Sequence, residues 1–331
     1  MSTPRLDIAV TRYDNTRALF DGSVPFDGLD VTLHSPPIPE IFAGVAAGRF
    51  DVGEFGLTHY LRARDAGTEL VALPVFPARV FRHSAVFVNT AAGITGPADL
   101  AGRTIGEFGM YGQDSGIWIK GIMADEYGFR PQSNRWVVGG LETPLPRGFT
   151  FTTHPHPDDV HVTFAPHGRT LAQMLERGEL DALFASNVPA PYLAGSPHIA
   201  PLFPDHETRE RAWFRRTGIF PMMHTVVVRR ALLHAHPGLA RSLYQGFLAA
   251  KDDAAQRYRD MRRLFQVTTM VPWMHQLFEE NRDLLGEDWF PYGIDANRTA
   301  LETFVRYSAE QGVSRSPRAV DELFAEELRG T

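Results

Sequence analysis

The stretch HTVVVRRALLHAHPGLARSLYQGFLAA, His224–Ala250, decides how the chain is put together. Val226–Val228 form an apolar β-branched run, the mark of a buried strand. A long helical pattern follows, with Pro237 in its first turn and Leu239, Leu243 and Phe247 on one stripe, backed by Leu248. Its meaning comes from what precedes it. Strand patterns at Leu6–Thr11, GLDVTLHS, DVGEFG and ELVALPVF alternate with short helical ones. After the turn-rich GITGPADLAG a second such series begins, with RTIGEF, RWVVGG and DALFAS as strands. Alternation of this kind predicts βαβ units and parallel sheets. A chain that builds one lobe, then a second, and returns to the first would close on a strand such as His224–Val228. The expected architecture is therefore α/β and two-lobed, with a central cleft and two hinge crossings. Residues 1–92 and 223–331 form the first lobe and 93–222 the second.

Composition narrows the function classes. The 331 residues suit two lobes of about 150 each. Apolar residues at 44% and charged residues at 22% are ordinary globular values, so a core can form. The net charge of -6 is spread along the chain without a basic block, which points away from nucleic acid and anionic membrane surfaces. The absence of cysteine removes disulfides and thiolate nucleophiles. MSTPRLDIAVTRYDN shows no secretion signal and no run of about 20 apolar residues occurs, so a cytoplasmic protein without a membrane span is expected. A homo-oligomer stays open. The histidine-rich HPHPDDVHVTFAPHG lacks a helix-borne ligand spacing and reads as irregular connection within 141–168; no metal and no cofactor are expected.

In open parallel sheets ligands gather beyond the carboxyl ends of strands. The polar residues there are the candidates. They are Arg12 and Tyr13; Glu54, Thr58 and His59; Arg79, Arg82 and His83; Glu107, Tyr111, Gln113, Asp114 and Ser115; Ser186 and Asn187; and His224. Arg82 and His83, at the mouth of the apolar Ser84–Asn89 run, read as an anion clamp, because a guanidinium fork matches a carboxylate. The alternative is an ion pair with an acid such as Glu54. Glu54 lies between Gly53 and Gly56, where the backbone can approach a ligand. The glycines of GMYGQDSG open the possibility of anion binding through backbone amides, with Asp114 as helix cap and Ser115 as donor.

DLAGRTIGEF, LERGELDALF and the His224–Ala250 stretch, in that order, resemble type II periplasmic-binding-protein folds over nearly the whole chain. PVFPARVFRHSAVFVNT, DLAGRTIGEFGM, WIKGIMADEYG and GIFPMMHTVVVRR together resemble the 4,5-dihydroxyphthalate decarboxylase family. Met110–Gly116 departs from that pattern. The resemblance implies a cofactor-independent decarboxylase acting on a hydroxylated aromatic carboxylic acid. It raises His224, in P-M-M-H, to a catalytic candidate beside His83 and Glu54. Either histidine could protonate the ring carbon, and Glu54 could take the phenol proton. Arg12, Arg79, Arg82, Tyr111, Ser115 and Asn187 are then substrate-binding candidates, with an aromatic carboxylate as the small-molecule partner. The rival readings are a non-catalytic solute-binding or sensor protein, and another lyase on the same scaffold.

Overall fold

The structure, a computed structural model, describes residues 4–146, 156–263, 268–315 and 318–331. The strands are β1 (Arg5–Ala9), β2 (Asp30–His34), β3 (Val52–Gly56), β4 (Leu70–Leu73), β5 (Val86–Asn89), β6 (Thr104–Phe108), β7 (Arg135–Gly139), β8 (His161–Phe164), β9 (Ala182–Phe184), β10 (Ile199–Pro201) and β11 (His224–Arg229). They make two sheets, ordered β2-β1-β3-β11-β4 and β10-β5-β9-β6-β7-β8. The first unit takes the described residues up to Arg79, with those of Met222–Leu301 and Arg318–Thr331. The second takes those of Val80–Pro221 and Glu302–Pro317.

In the first unit β1 runs parallel to β2 and β3. The returning strand β11 inserts antiparallel between β3 and β4. Val226, Val227 and Val228 are fully buried, as their apolar run requires. The long helix Leu239–Met261 buries Leu239, Leu243 and Phe247, the stripe visible in the sequence. In the second unit, residues on alternate sides of the same strands fall into two cores. Val86, Val88, Trp136, Val138, Ala182 and Phe184 belong to one. Phe87, Val137 and Leu183 belong to the other. A sheet covered on both faces explains why these strands read as continuous apolar runs.

Three features differ from the sequence reading. Ser84–Asn89 is a short turn of 3-10 helix, His83–Ala85, followed by β5, and β5 pairs antiparallel with β9 and β10. Residues 80–92 therefore belong with the second unit, because a short apolar run carries no mark of the sheet it joins. The helix Arg298–Glu310 gives its later turns to the second unit, where Phe304 and Tyr307 cover the fully buried Trp118. A Cβ on Gly121 would overlap the Tyr307 ring, so the helix Asp114–Tyr127 needs glycine there. The histidine-rich connection contains β8, parallel to β7; residues 147–155 lie outside the described ones.

Candidate active site

Glu54 is in the middle of β3 and its side chain is fully buried. A buried carboxylate must be hydrogen-bonded to be tolerated. Three donors meet it. The Thr11 amide donates to Oε2 at 2.9 Å and the Tyr13 hydroxyl to Oε1 at 2.8 Å. His224 Nδ1 lies 2.5 Å from Oε1. The strand register brings the histidine there: Val226 pairs with Glu54, and His224, two residues away, is the diagonal neighbour on the same face. Burial by itself would push the Glu54 carboxyl up. The hydrogen bond and charge of His224, with the Thr11 and Tyr13 donors, outweigh it and hold the group below its ordinary value. Burial and the Glu54 charge push the Tyr13 phenol well up, so it keeps its proton. The His224 side chain retains 13% of its exposure, and its ring stands edge-on to Phe42 at 5.3 Å. Glu54, with none, meets Tyr13, His224 and the Thr11 amide. The sequence reading let Glu54 take a phenol proton; its carboxylate is fully buried against Tyr13 and His224.

The arginines divide. The exposed Arg12 stacks over Phe20 at 5.7 Å and donates from its amide to Ser35. Arg79 is buried in the first unit. Its guanidinium lies against the Phe76 and Phe290 rings and donates to the Pro291 carbonyl at 2.7 Å and to Asn297 Oδ1 at 2.5 Å. Burial lowers its pKa to about 10. Arg79 thus ties the 291–297 segment to the chain beyond β4. Arg82 belongs to the second unit. It donates to the Ser186 carbonyl at 3.2 Å, burial lowers its pKa to about 10, and Asp114 and Glu210 act against that fall. Both acids belong to its own unit.

His83 is also in the second unit, ringed by Phe203, Trp213 and Tyr127. Burial, then the charges of Arg209, Arg216 and His206, lower its pKa to about 4, so the imidazole is neutral at pH 7. The glycine-rich loop is filled from inside. Glu107 accepts from the Gly112 amide at 2.9 Å, and Ser115 donates its amide to Gln113 Oε1 at 3.1 Å. Lys120 Nζ lies 2.7 and 2.6 Å from the two Glu107 oxygens, and both side chains are fully buried. A Cβ on Gly116 would overlap the Glu107 carboxylate. The Lys120 ammonium is 4.0 Å from the centre of the Tyr111 ring. Tyr111 and Ser115 are therefore buried parts of the loop's framework, and Asn187 is exposed.

Against known proteins, the chain is 34% identical over 326 residues to the 4,5-dihydroxyphthalate decarboxylase of Comamonas testosteroni, covering 98% of this chain and 97% of that one. The chain belongs to the 4,5-dihydroxyphthalate decarboxylase family. The decarboxylase of Pseudomonas putida is 33% identical over 218 residues, 65% of this chain and 83% of that relative. Residues 26–141 match the family described as NMT1/THI5 like. Two solved periplasmic binding proteins share the fold. The sulfonate-binding protein SsuA of Methylobacillus flagellatus KT has a TM-score of 0.58 at 14% identity, over 98% of this chain and 92% of that one. The aliphatic sulphonate binding protein SsuA of Escherichia coli has 0.54 at 14%, over all of both chains. At such identity the likeness carries the fold alone.

This decarboxylase-family chain brings together Glu54 and His224, two of the three catalytic candidates of the sequence reading, and adds two residues that reading did not promote. Tyr13 followed a predicted strand, but Arg12 beside it carried the more obvious charge. Tyr292 lies in a Pro-Tyr-Gly turn with no motif around it; the signal that finds it is electrostatic, through Glu54 and Arg79.

Proposed function

We propose that this chain decarboxylates a hydroxylated phthalate, 4,5-dihydroxyphthalate first among them, and that the Tyr13–Glu54–His224 relay handles its protons. Family membership supports the reaction. The observation that carries the assignment is a fully buried, ionised carboxylate bridging a phenol and a partly exposed imidazole. The 2.5 Å contact seats the imidazole Nδ1 against that carboxylate. In the reading adopted here, His224 delivers a proton to the ring carbon that bears the leaving carboxylate. The hydroxyl para to that carbon loses its proton, forming a dienone. The carbon–carboxylate bond then breaks, its electron pair restores the aromatic ring, CO₂ departs, and the carbonyl oxygen regains a proton. One proton is taken up and one CO₂ released. Tyr13 and Glu54 supply the route by which the phenolic proton leaves and returns. We assign the acid to His224 in place of His83, because burial among aromatic rings keeps His83 neutral at pH 7, and the N–H of a neutral imidazole is a very weak acid.

The test follows CO₂ release from 4,5-dihydroxyphthalate by purified protein. Wild type is expected to turn over, and His224→Gln to keep its fold while kcat falls about 10²–10⁴-fold, the range for loss of a general acid. Wild type that releases no CO₂ sinks the reaction; an active His224→Gln sinks the role. We also propose a cytoplasmic setting, which cell fractionation checks.

A further inference from the structure

The Tyr292 hydroxyl has no hydrogen-bond partner among the described residues, although the side chain is 6% exposed. Buried phenols normally find a partner, and leaving one unmet is destabilising. Tyr60 shows the usual case in the same unit: its hydroxyl donates to the Leu323 carbonyl and accepts from the Ala72 amide. Tyr292 is held in place from both sides. The Pro291 carbonyl accepts from Arg79 at 2.7 Å, and the Gly293 amide donates to the Pro74 carbonyl at 2.8 Å. These bonds fix residue 292 against the segment leaving the carboxyl end of β4, the end of the sheet where ligands gather in such folds. There its phenol lies within electrostatic reach of Arg79 and Glu54, and Tyr13 in turn feels Tyr292. Burial pushes the phenol well up, so it is a permanent donor.

We propose that the Tyr292 hydroxyl is a substrate-binding group, donating a hydrogen bond to an anionic oxygen of the aromatic diacid. The inference rests on reading the Tyr13–Glu54–His224 cluster as the substrate end of the enzyme. It explains why the fold holds a donor in place without giving it an acceptor.

Tyr292→Phe removes the oxygen and nothing else. Its melting temperature is expected to match or exceed wild type, because no internal hydrogen bond is lost. Affinity for 4,5-dihydroxyphthalate by calorimetry, and kcat/KM for CO₂ release, are expected to fall about 10–100-fold, the range for a hydrogen bond to a charged group. Tyr60→Phe should do the reverse, melting earlier with affinity and kcat/KM unchanged. Equal affinity of wild type and Tyr292→Phe for the diacid overturns the inference, as does a variant whose only defect is thermal. Wild type that binds the diacid without releasing CO₂, with the affinity difference intact, overturns the decarboxylase reading and supports this one.

Discussion

His83 shows how far a residue's type can stand from its role. Histidine is the side chain that titrates near neutrality, yet this one is ringed by Phe203, Trp213 and Tyr127 and titrates at about 4. Between pH 6.5 and 4 the unfolded chain binds a proton here that the folded chain refuses. Stability is therefore full above 6.5 and falls as pH drops toward 4, by about 3 kcal/mol in all. Denaturant titrations of wild type and His83→Phe over that window are expected to show a steeper loss in wild type; parallel curves would count against the assignment. Arg79 makes a second case. Removing its fork leaves Asn297 Oδ1 without that donor and takes one of two donors from the Pro291 carbonyl, which keeps Asn297 Nδ2 at 2.9 Å, so Arg79→Met should destabilise by about 2–3 kcal/mol in denaturant melts. Lysine at the same site should restore only part, since it lacks the fork. The sequence exposed Arg12, Arg79 and Arg82, with His83 and His224, as candidates. It could not tell a guanidinium that meets a carbonyl from one that waits for a ligand. The partner of Glu54 sits 170 residues away, and only the β3–β11 register supplies it.

At the scale of elements, the Gly109–Gln113 loop and the helix Asp114–Tyr127 are organised by one buried ion pair. Glu107 and Lys120 are fully inside, so breaking the pair should cost far more than removing it. Lys120→Met takes the counter-charge from a buried carboxylate and should cost about 3–5 kcal/mol. Combined with Glu107→Gln, much of that loss should return. A double variant as unstable as Lys120→Met would show that charge is not what matters here. Strand existence was legible at this scale, since Val226–Val228 and Ala182–Phe184 are unbroken apolar runs. Strand partnership was not. β5 carries the same kind of run as β4, and nothing local tells which sheet takes it. Likewise the glycines before the helix looked like an anion loop, because sequence does not reveal that Glu107 already sits there.

For the whole molecule, the boundary of each unit is a matter of covering, and the chain is shared accordingly. Trp118 is sealed by Phe304 and Tyr307, which arrive some 185 residues later. A fragment of residues 80–221 should thus be loosely packed, bind a hydrophobic dye and lose near-ultraviolet circular dichroism. The same fragment with 302–317 joined by a flexible linker should recover both. Two indistinguishable fragments would mean that the later helix is dispensable to the core. The destination of that helix depends on a glycine at 121 and a tyrosine at 307 that meet only in space.

Glu107 can also be seen as a captive guest. Its carboxylate occupies the seat that the amide of Gly112 and the ammonium of Lys120 form. Emptying that seat should turn the protein into a receptor for whatever small anion fits. Glu107→Ala is expected to melt early in chloride buffer and to regain stability, dose by dose, in formate, while wild type stays indifferent to it. Chemical complementation of this kind would measure how strongly a tethered acid outcompetes a free one, and how short the step is between a lobe that has internalised its ligand and one that collects it from solution.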